Sequence, residues 1–497
     1  MNVVFLCPNV PEPPLNGGHH RNLRLIRSLA RFASVHVFAI GDPRGERAQA
    51  AAERLSAAGA TISVHRPTGP GRPEDDAEDV DRLPDAAAHF RSPELAAALA
   101  RHFEARPVDV AHVEEVVMAQ YVDLLPCPRV IDRQKVDWAY HEAMAHVVGA
   151  SASALAHLQE AARFRWWERR LAGLFDRILV PGDGDRKLLE PLHGPDVVEV
   201  LPIGIGDDLA PPPGPIRTVE HALLFGALDY GPNVEAQQWF FREVWPSMRA
   251  AEPSLGAVVA GSGRPPLDAE RLPSDSSVRA LGFVPDTRSL LQGPGVLIVP
   301  LRVGGGARTK VLEALACGMP VVSTALGAEN LGLVPGRDFL LAESAADMAG
   351  AISRLARDPG LATSLGRAGA ARAEAFRWSR IEATIEPLYR DVAAGAHAAA
   401  RAASLAHAGR VPWATPAPVV RLRDDLAARE RGAAGTVRGA QRRAMRRLRR
   451  TSLMRRVEAA LDSALEPPRG PGLRGQVRRR LADVLRRLGR ALAASSR

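Results

Sequence analysis

Three consecutive glycines, then two cations, then a carboxylate lie within ten residues: Gly304, Gly305, Gly306, Arg308, Lys310 and Glu313. They sit in the run VPLRVGGGARTKVLEALACGMPVVST, residues 299–324. The pattern reads as a buried strand, a glycine loop, a helix and a second strand. Glycine lets a backbone approach a ligand closely. Free N–H groups at a helix start, with Arg308 and Lys310 beside them, form a ready phosphate site. Lysine is rare in this chain, occurring only at Lys135, Lys187 and Lys310. Glu313 falls one turn into the helix among Leu312, Ala314, Leu315 and Ala316, so it reads as a buried carboxylate that accepts hydrogen bonds from sugar or ribose hydroxyls. Phosphate donors and a hydroxyl acceptor on one loop–helix unit imply a nucleotide-sugar site.

Other residues extend the list. Gly17 and Gly18 open a helix after the first strand, which suits approach to a phosphate or an acceptor. No G-x-G-x-x-G occurs there, so a dinucleotide fingerprint is not supported. His112 and Glu114 lie at the carboxyl end of a strand and are alternatives for a polar group at the reacting centre. Of the two, Glu114 is expected to face that centre and His112 the other way. The pair Glu114–Glu115 can imitate an inverting acid/base arrangement only with a further, unplaced carboxylate. Asp132, Arg133, Lys135 and Asp137 read as a solvated loop, with contact to an acceptor as the alternative, and His19, His20 and Arg21 as residues at a cleft mouth. Trp166 and Trp167 read as packing aromatics.

These residues need a scaffold that presents loops at strand ends. Short apolar runs alternate with helical spacing along the chain: Val3–Cys7, Val35–Ile40, Ala60–Val64, Val108–Val113, Arg129–Ile131 and Arg177–Val180 are expected strands. The stretch 137–174 is expected to be helical. After the cluster Pro211–Pro215 a second series begins: Ala222–Phe225, Leu255–Ala260, Val278–Phe283, Val296–Leu301, Pro320–Ser323 and Phe339–Leu341, with a helix at Val234–Arg249. Alternation of this kind implies parallel sheets covered on both faces. Two series imply an α/β chain of two doubly wound, Rossmann-like domains facing a cleft, with ligands at the strands' carboxyl ends.

Charge divides the chain. The net charge is +9, yet residues 401–497 hold about 24 arginines against about 7 acids, which leaves the rest near −8. The body is therefore not a polyanion binder, and no specific nucleic-acid binding is expected. The tail carries Arg-rich amphipathic stretches at about 438–465 and 473–494, which suit an anionic membrane surface. Cys7, Cys127 and Cys317 are scattered in apolar settings and read as reduced packing residues. No apolar run is long enough to span a bilayer and no signal peptide is evident, so a cytoplasmic protein, peripheral on the inner face of the bacterial plasma membrane, is expected.

Taken in order, PPLNGGHH, DVAHVE, FDRILVPGDGD, VLPIGI, LLFGALDYGPNVEA, VVAGSG and KVLEALACGMPVVST resemble the family 4 retaining glycosyltransferases of GT-B architecture. The PN pair and the P-R-x-GGG-x-R-x-K-x-LEA string are similar to bacterial exopolysaccharide and exosortase-associated sugar transferases. The resemblance covers about residues 1–392. It implies an acceptor-side domain at 1–210, a nucleotide-sugar domain at 216–375, a helix at 376–392 returning to the first domain, and a basic tail at 393–497. It implies transfer of a sugar from a nucleotide-diphosphate donor to a glycan or lipid-linked acceptor, with retention, no cofactor and no metal. Two departures stand out. The first of the family's two glutamates falls on Gly305, with Glu313 as the second, and Ala227–Asn233 lacks the usual cations. Alternatives are a nucleotide-sugar epimerase, a phosphorylase-like enzyme, or a sugar-nucleotide binder without turnover.

Overall fold

The computed structural model describes residues 1–12, 17–68, 83–148, 151–214, 218–263 and 276–395. The first seven strands are β1 (Asn2–Cys7), β2 (Ser34–Ile40), β3 (Ala60–His65), β4 (Val110–Glu114), β5 (Arg129–Asp132), β6 (Arg177–Val180) and β7 (Val198–Val200). They form one parallel sheet in the order β3-β2-β1-β4-β5-β6-β7. Then β8 (His221–Phe225), β9 (Gly256–Ala260), β10 (Val278–Gly282), β11 (Gly295–Val299), β12 (Val321–Ser323) and β13 (Leu340–Leu341) form a second, in the order β10-β9-β8-β11-β12-β13. Both sheets are doubly wound, and the strand order reverses between β1 and β4 in one and between β8 and β11 in the other. Ligand crevices open at the carboxyl ends of such pairs.

The central strands read as continuous apolar runs because both faces are covered, whereas the edge strand β10 is largely exposed. Along β1, Val4 and Leu6 face a core completed by Leu95, Leu99, Phe164, Trp167 and Leu189. Val3, Phe5 and Cys7 face the opposite core, with Leu25, Ile26 and Leu29. The helix Trp378–Ala393 belongs to this second core through Ile381, Ile385, Leu388, Tyr389 and Val392, although it follows the second sheet in sequence. The chain crosses between the sheets twice, and the crossings are tied together: Ile205 N donates to Phe376 O (2.9 Å) and Trp378 N to Ile205 O (3.1 Å). Gly204 lies flat on Trp378, where an added Cβ would come within 2.4 Å of the indole.

Three local features refine or depart from the sequence reading. The stretch 137–174 is two helices, Asp137–Val147 and Ala152–Leu171, and Ser151 caps the second by accepting from Ala154 N (3.1 Å). The helix expected at Val234–Arg249 is broken by a π segment at Phe240–Val244, just before Pro246, whose ring and missing N–H disrupt the regular ladder. Strand β7 was not anticipated: it is three residues at a sheet edge with Glu199 exposed. All three cysteines are free. The basic tail lies outside the described residues from 396 onward, and no helix among the described residues is long and apolar enough to cross a membrane.

Candidate active site

The glycine loop leaves β11 at the second sheet's reversal point and enters the helix Thr309–Ala316. Gly304 and Gly306 have φ of 145° and 74°, conformations that L side chains rarely adopt. The loop wraps the Arg308 guanidinium, whose Nη1 donates to the carbonyls of Gly305 and Gly306. Arg308 is only 9% exposed, and its Nη2 is buried without a hydrogen-bond partner. It makes no ion pair among the described residues. Burial lowers its pKa.

Lys310 is half-buried two residues further on and reaches across to the segment that follows β8. Its Nζ donates to Asn233 Oδ1 (3.0 Å), and Asn233 Nδ2 donates to Ala227 O (2.8 Å). A Cβ on Gly226, just beyond β8, would stand 3.5 Å from that ammonium. Burial, with Arg308 adding to it, lowers the Lys310 pKa to about 7. Glu313 points from the same helix, and burial raises its pKa to about 7. Two cations at one helix start therefore share no carboxylate partner. Glu329 and Asp185 act on Arg308 only from beyond ion-pair distance, and burying charge without a close counter-charge is costly, so this site suits an anion.

The opposite wall comes from the first sheet. His112 and Glu114 are both fully buried on β4. They are two residues apart and share a face, so His112 does not turn away as expected from the sequence. His112 is hydrogen-bonded through Nδ1 to Tyr389 Oη (2.5 Å) and through Nε2 to Glu114 Oε2 (3.3 Å), and its ring stacks on Phe5 at 4.1 Å. Burial lowers the His112 pKa to about 4 and, with Asp132 nearby, raises that of Glu114. Glu114 Oε1 accepts from the amide of Gln134.

Arg21 is not at a cleft mouth. It is 1% exposed and grips Asp132 through Nε (2.7 Å) and Nη2 (2.9 Å), while Nη1 and Nη2 donate to the carbonyls of Pro202 and Leu201. His19 is also buried, against Arg47, and only His20 is exposed. Nor are Asp132, Arg133 and Asp137 a solvated loop, since each is at most 5% exposed. Arg133 pairs with the buried Glu168 at 2.6 Å, and Lys135 with Asp137. Ligating atoms of His112, Glu114 and Asp132 lie within 4.8 Å of one another. Arg21, Gln134 and Tyr389 already engage them, so a cation there would have to displace a guanidinium.

The two walls touch. A Cβ on Gly306 would lie 2.1 Å from Gln134 O, one on Gly18 2.2 Å from Gln134 Oε1, and one on Gly305 3.2 Å from Lys135 Cβ. Gly17 faces Thr309, with 3.1 Å between an added Cβ and Oγ1. These glycines admit the opposing domain, a role that sequence reasoning gave to ligand alone. A second seam joins Asn330, after β12, to the start of the helix Asp183–His193. Asn330 Oδ1 accepts from Gly184 N (2.7 Å) and Asp185 N (3.2 Å), and its Nδ2 donates to Asp185 Oδ2 (2.8 Å). Gln134, Asn233, Asn330 and Tyr389 were not singled out from sequence. Of these only Asn233 carried a signal, as part of the PN pair.

Comparison with known proteins follows the same outline. Residues 220–358 match the family model described as Glycosyl transferases group 1. A D-inositol 3-phosphate glycosyltransferase of Acidothermus cellulolyticus is 28% identical over 214 residues, 43% of this chain and 41% of that protein. One from Pseudarthrobacter chlorophenolicus is 45% identical over 74 residues, 14% of this chain and 18% of that protein. The chain thus spans less than half the length of the curated relatives it matches. Sucrose-phosphate synthase from Thermosynechococcus elongatus superposes with a TM-score of 0.57 at 18% identity, over 80% of this chain and 100% of that one. Anabaena HepE in complex with UDP gives 0.53 at 15% identity, over 78% and 99%. The fold is therefore the GT-B fold of two Rossmann-like domains.

Proposed function

We propose that the protein is a glycosyltransferase that moves a sugar from a nucleotide-diphosphate donor to a hydroxyl of a glycan or lipid-linked acceptor. The observation that carries this reading is the buried Arg308, unpaired beside Lys310 at the start of the helix Thr309–Ala316. A diphosphate supplies the missing negative charge. As the glycosidic bond to the β-phosphate breaks, charge grows on that phosphate, and fixed donors already aimed at it lower the barrier. Glu313 is suited to ribose or sugar hydroxyls, and Glu114, oriented by His112 and Gln134, to the reacting side. Transfer proceeds with retention and without a metal, since Arg308, Lys310 and helix N–H groups meet the charge. The match of residues 220–358 to Glycosyl transferases group 1 supports the reaction class. The Arg-rich tail would bring the enzyme to an anionic membrane carrying the acceptor.

The test is calorimetric titration with UDP-, GDP-, ADP- and dTDP-glucose. One of them binds the wild type, and Arg308→Ala weakens it by about 100-fold, the scale of a lost charged hydrogen bond to phosphate. Nucleotide release continues in EDTA. Undiminished binding by the Arg308→Ala protein would remove this assignment.

A further inference from the structure

Glu115 follows β4 at the first sheet's reversal point and has φ of 63°, a left-handed conformation that is rare for a residue other than glycine, asparagine or aspartate. Among the described residues only Asn330 shares that feature without being glycine. Strain of this kind persists where the surroundings enforce it, and it clusters at functional sites. The side chain adds a second anomaly. Its Oε2 is buried with no hydrogen-bond partner. A short helix, Glu115–Met118, starts here, so the left-handed residue redirects the chain at the end of β4.

What surrounds Glu115 locates it. Burial raises its pKa to about 7, while Lys135, Asp137, Arg133 and Asp132 act on it electrostatically. The Tyr230 hydroxyl, from the second domain, feels Lys135, Arg308, Asp137 and Glu115 together. One phenol is thus within electrostatic range of both the anion-site guanidinium and the Glu115 carboxylate. Lys135 in turn lies against Gly305, at the place where the glycine loop offers no side chain. A sugar attached to a phosphate held by Arg308 must lie beside the glycine loop, and that loop faces Gln134, whose amide donates to Glu114, the residue before Glu115.

We infer that Glu115 accepts, through Oε2, a hydrogen bond from a hydroxyl of the transferred sugar, so that the first domain reads the sugar while the second holds the diphosphate. This rests on the glycosyl-transfer reading above. A carboxylate retained in a left-handed, unpartnered state for ligand contact weakens the ligand-free fold, which gives a readout that a purely structural role would not produce.

The probes are UDP, GDP, ADP and dTDP, each paired with its glucose conjugate, using the pair that the wild type binds most tightly. Glu115→Gln keeps the affinity for the nucleotide diphosphate and loses about tenfold or more for the nucleotide sugar, with slower hydrolytic release of nucleotide. Glu115→Gly, which accepts the positive φ without strain, raises the melting temperature of the ligand-free protein and shows the same selective loss. Equal affinity of wild type and Glu115→Gln for the sugar conjugate overturns the inference, as does a lower melting temperature for Glu115→Gly. Should the wild type bind none of the eight probes, the glycosyl-transfer reading itself falls. Should Arg308→Ala alone behave as predicted, that reading stands and only the role of Glu115 is lost.

Discussion

At the residue scale the site is governed by groups held away from their ordinary protonation. Lys310 is the most consequential, because its pKa of about 7 puts half its charge in play at neutral pH. An anion bound beside it favours the ammonium and raises that pKa in the complex. Binding then takes up a proton once the pH exceeds about 7. Affinity for a nucleotide diphosphate is therefore greatest below pH 7 and falls as pH rises towards the pKa of the complex, by at most about tenfold per unit for one proton. Titrations from pH 6 to 9 check this, and Lys310→Met flattens the profile at a weaker level. A wild-type affinity that rises with pH would contradict it. The placement of Arg308 and Lys310 at a helix start was legible in the sequence because it depends on near neighbours, the glycines and the apolar helix that follows. Gln134 was not, because its importance comes from Gly18, Gly306 and Glu114, all distant in sequence.

At the element scale, twelve of the thirteen strands were legible as short runs bounded by turns, the central ones apolar throughout because both faces are buried. The exception, β7, is short and half-exposed. The helix Trp378–Ala393 shows how a returning element can be bound into a site. Its Tyr389 is fully buried, and its hydroxyl meets His112 Nδ1 at 2.5 Å, so the last described helix fixes the imidazole that contacts Glu114. Tyr389→Phe leaves a buried ring nitrogen without its partner, a loss of about 1–3 kcal/mol. The expected result is a lower urea midpoint with an unchanged m-value, because the core area is preserved. Tyr389→Leu, which also loses ring packing against His112, costs more. If Tyr389→Phe matches the wild type in midpoint, the hydrogen bond contributes nothing to holding this helix.

At the scale of the whole molecule, two doubly wound domains could be read from repeated alternation, whereas the contact between them could not. That contact depends on pairs such as Gly306 with Gln134, and Asn330 with Gly184, whose residue types have no local reason to be matched. The Asn330 seam is suited to controlling closure. Its side chain completes the start of a helix in the other domain, satisfying two N–H groups that otherwise have no intrahelical partner. Its own φ of 66° is a left-handed conformation that asparagine tolerates, and a Cβ on Gly182 would meet Asn330 Cβ at 2.5 Å, so the fit depends on both residues. Asn330 is hydrogen-bonded to Gly184 and Asp185 rather than to Arg308, Lys310 or Glu313, so a substitution there should alter how often the domains meet more than diphosphate capture by the second domain, although Asp185 also acts on Arg308 electrostatically. Asn330→Ala removes the three hydrogen bonds and leaves each sheet's core intact. The expected outcome is a larger radius of gyration by small-angle scattering, faster proteolysis at the crossings near Ile205 and Phe376, and turnover reduced about tenfold, with nucleotide-diphosphate affinity within twofold of wild type. Loss of nucleotide affinity alongside unchanged scattering would instead place Asn330 in the binding site and remove closure from its role.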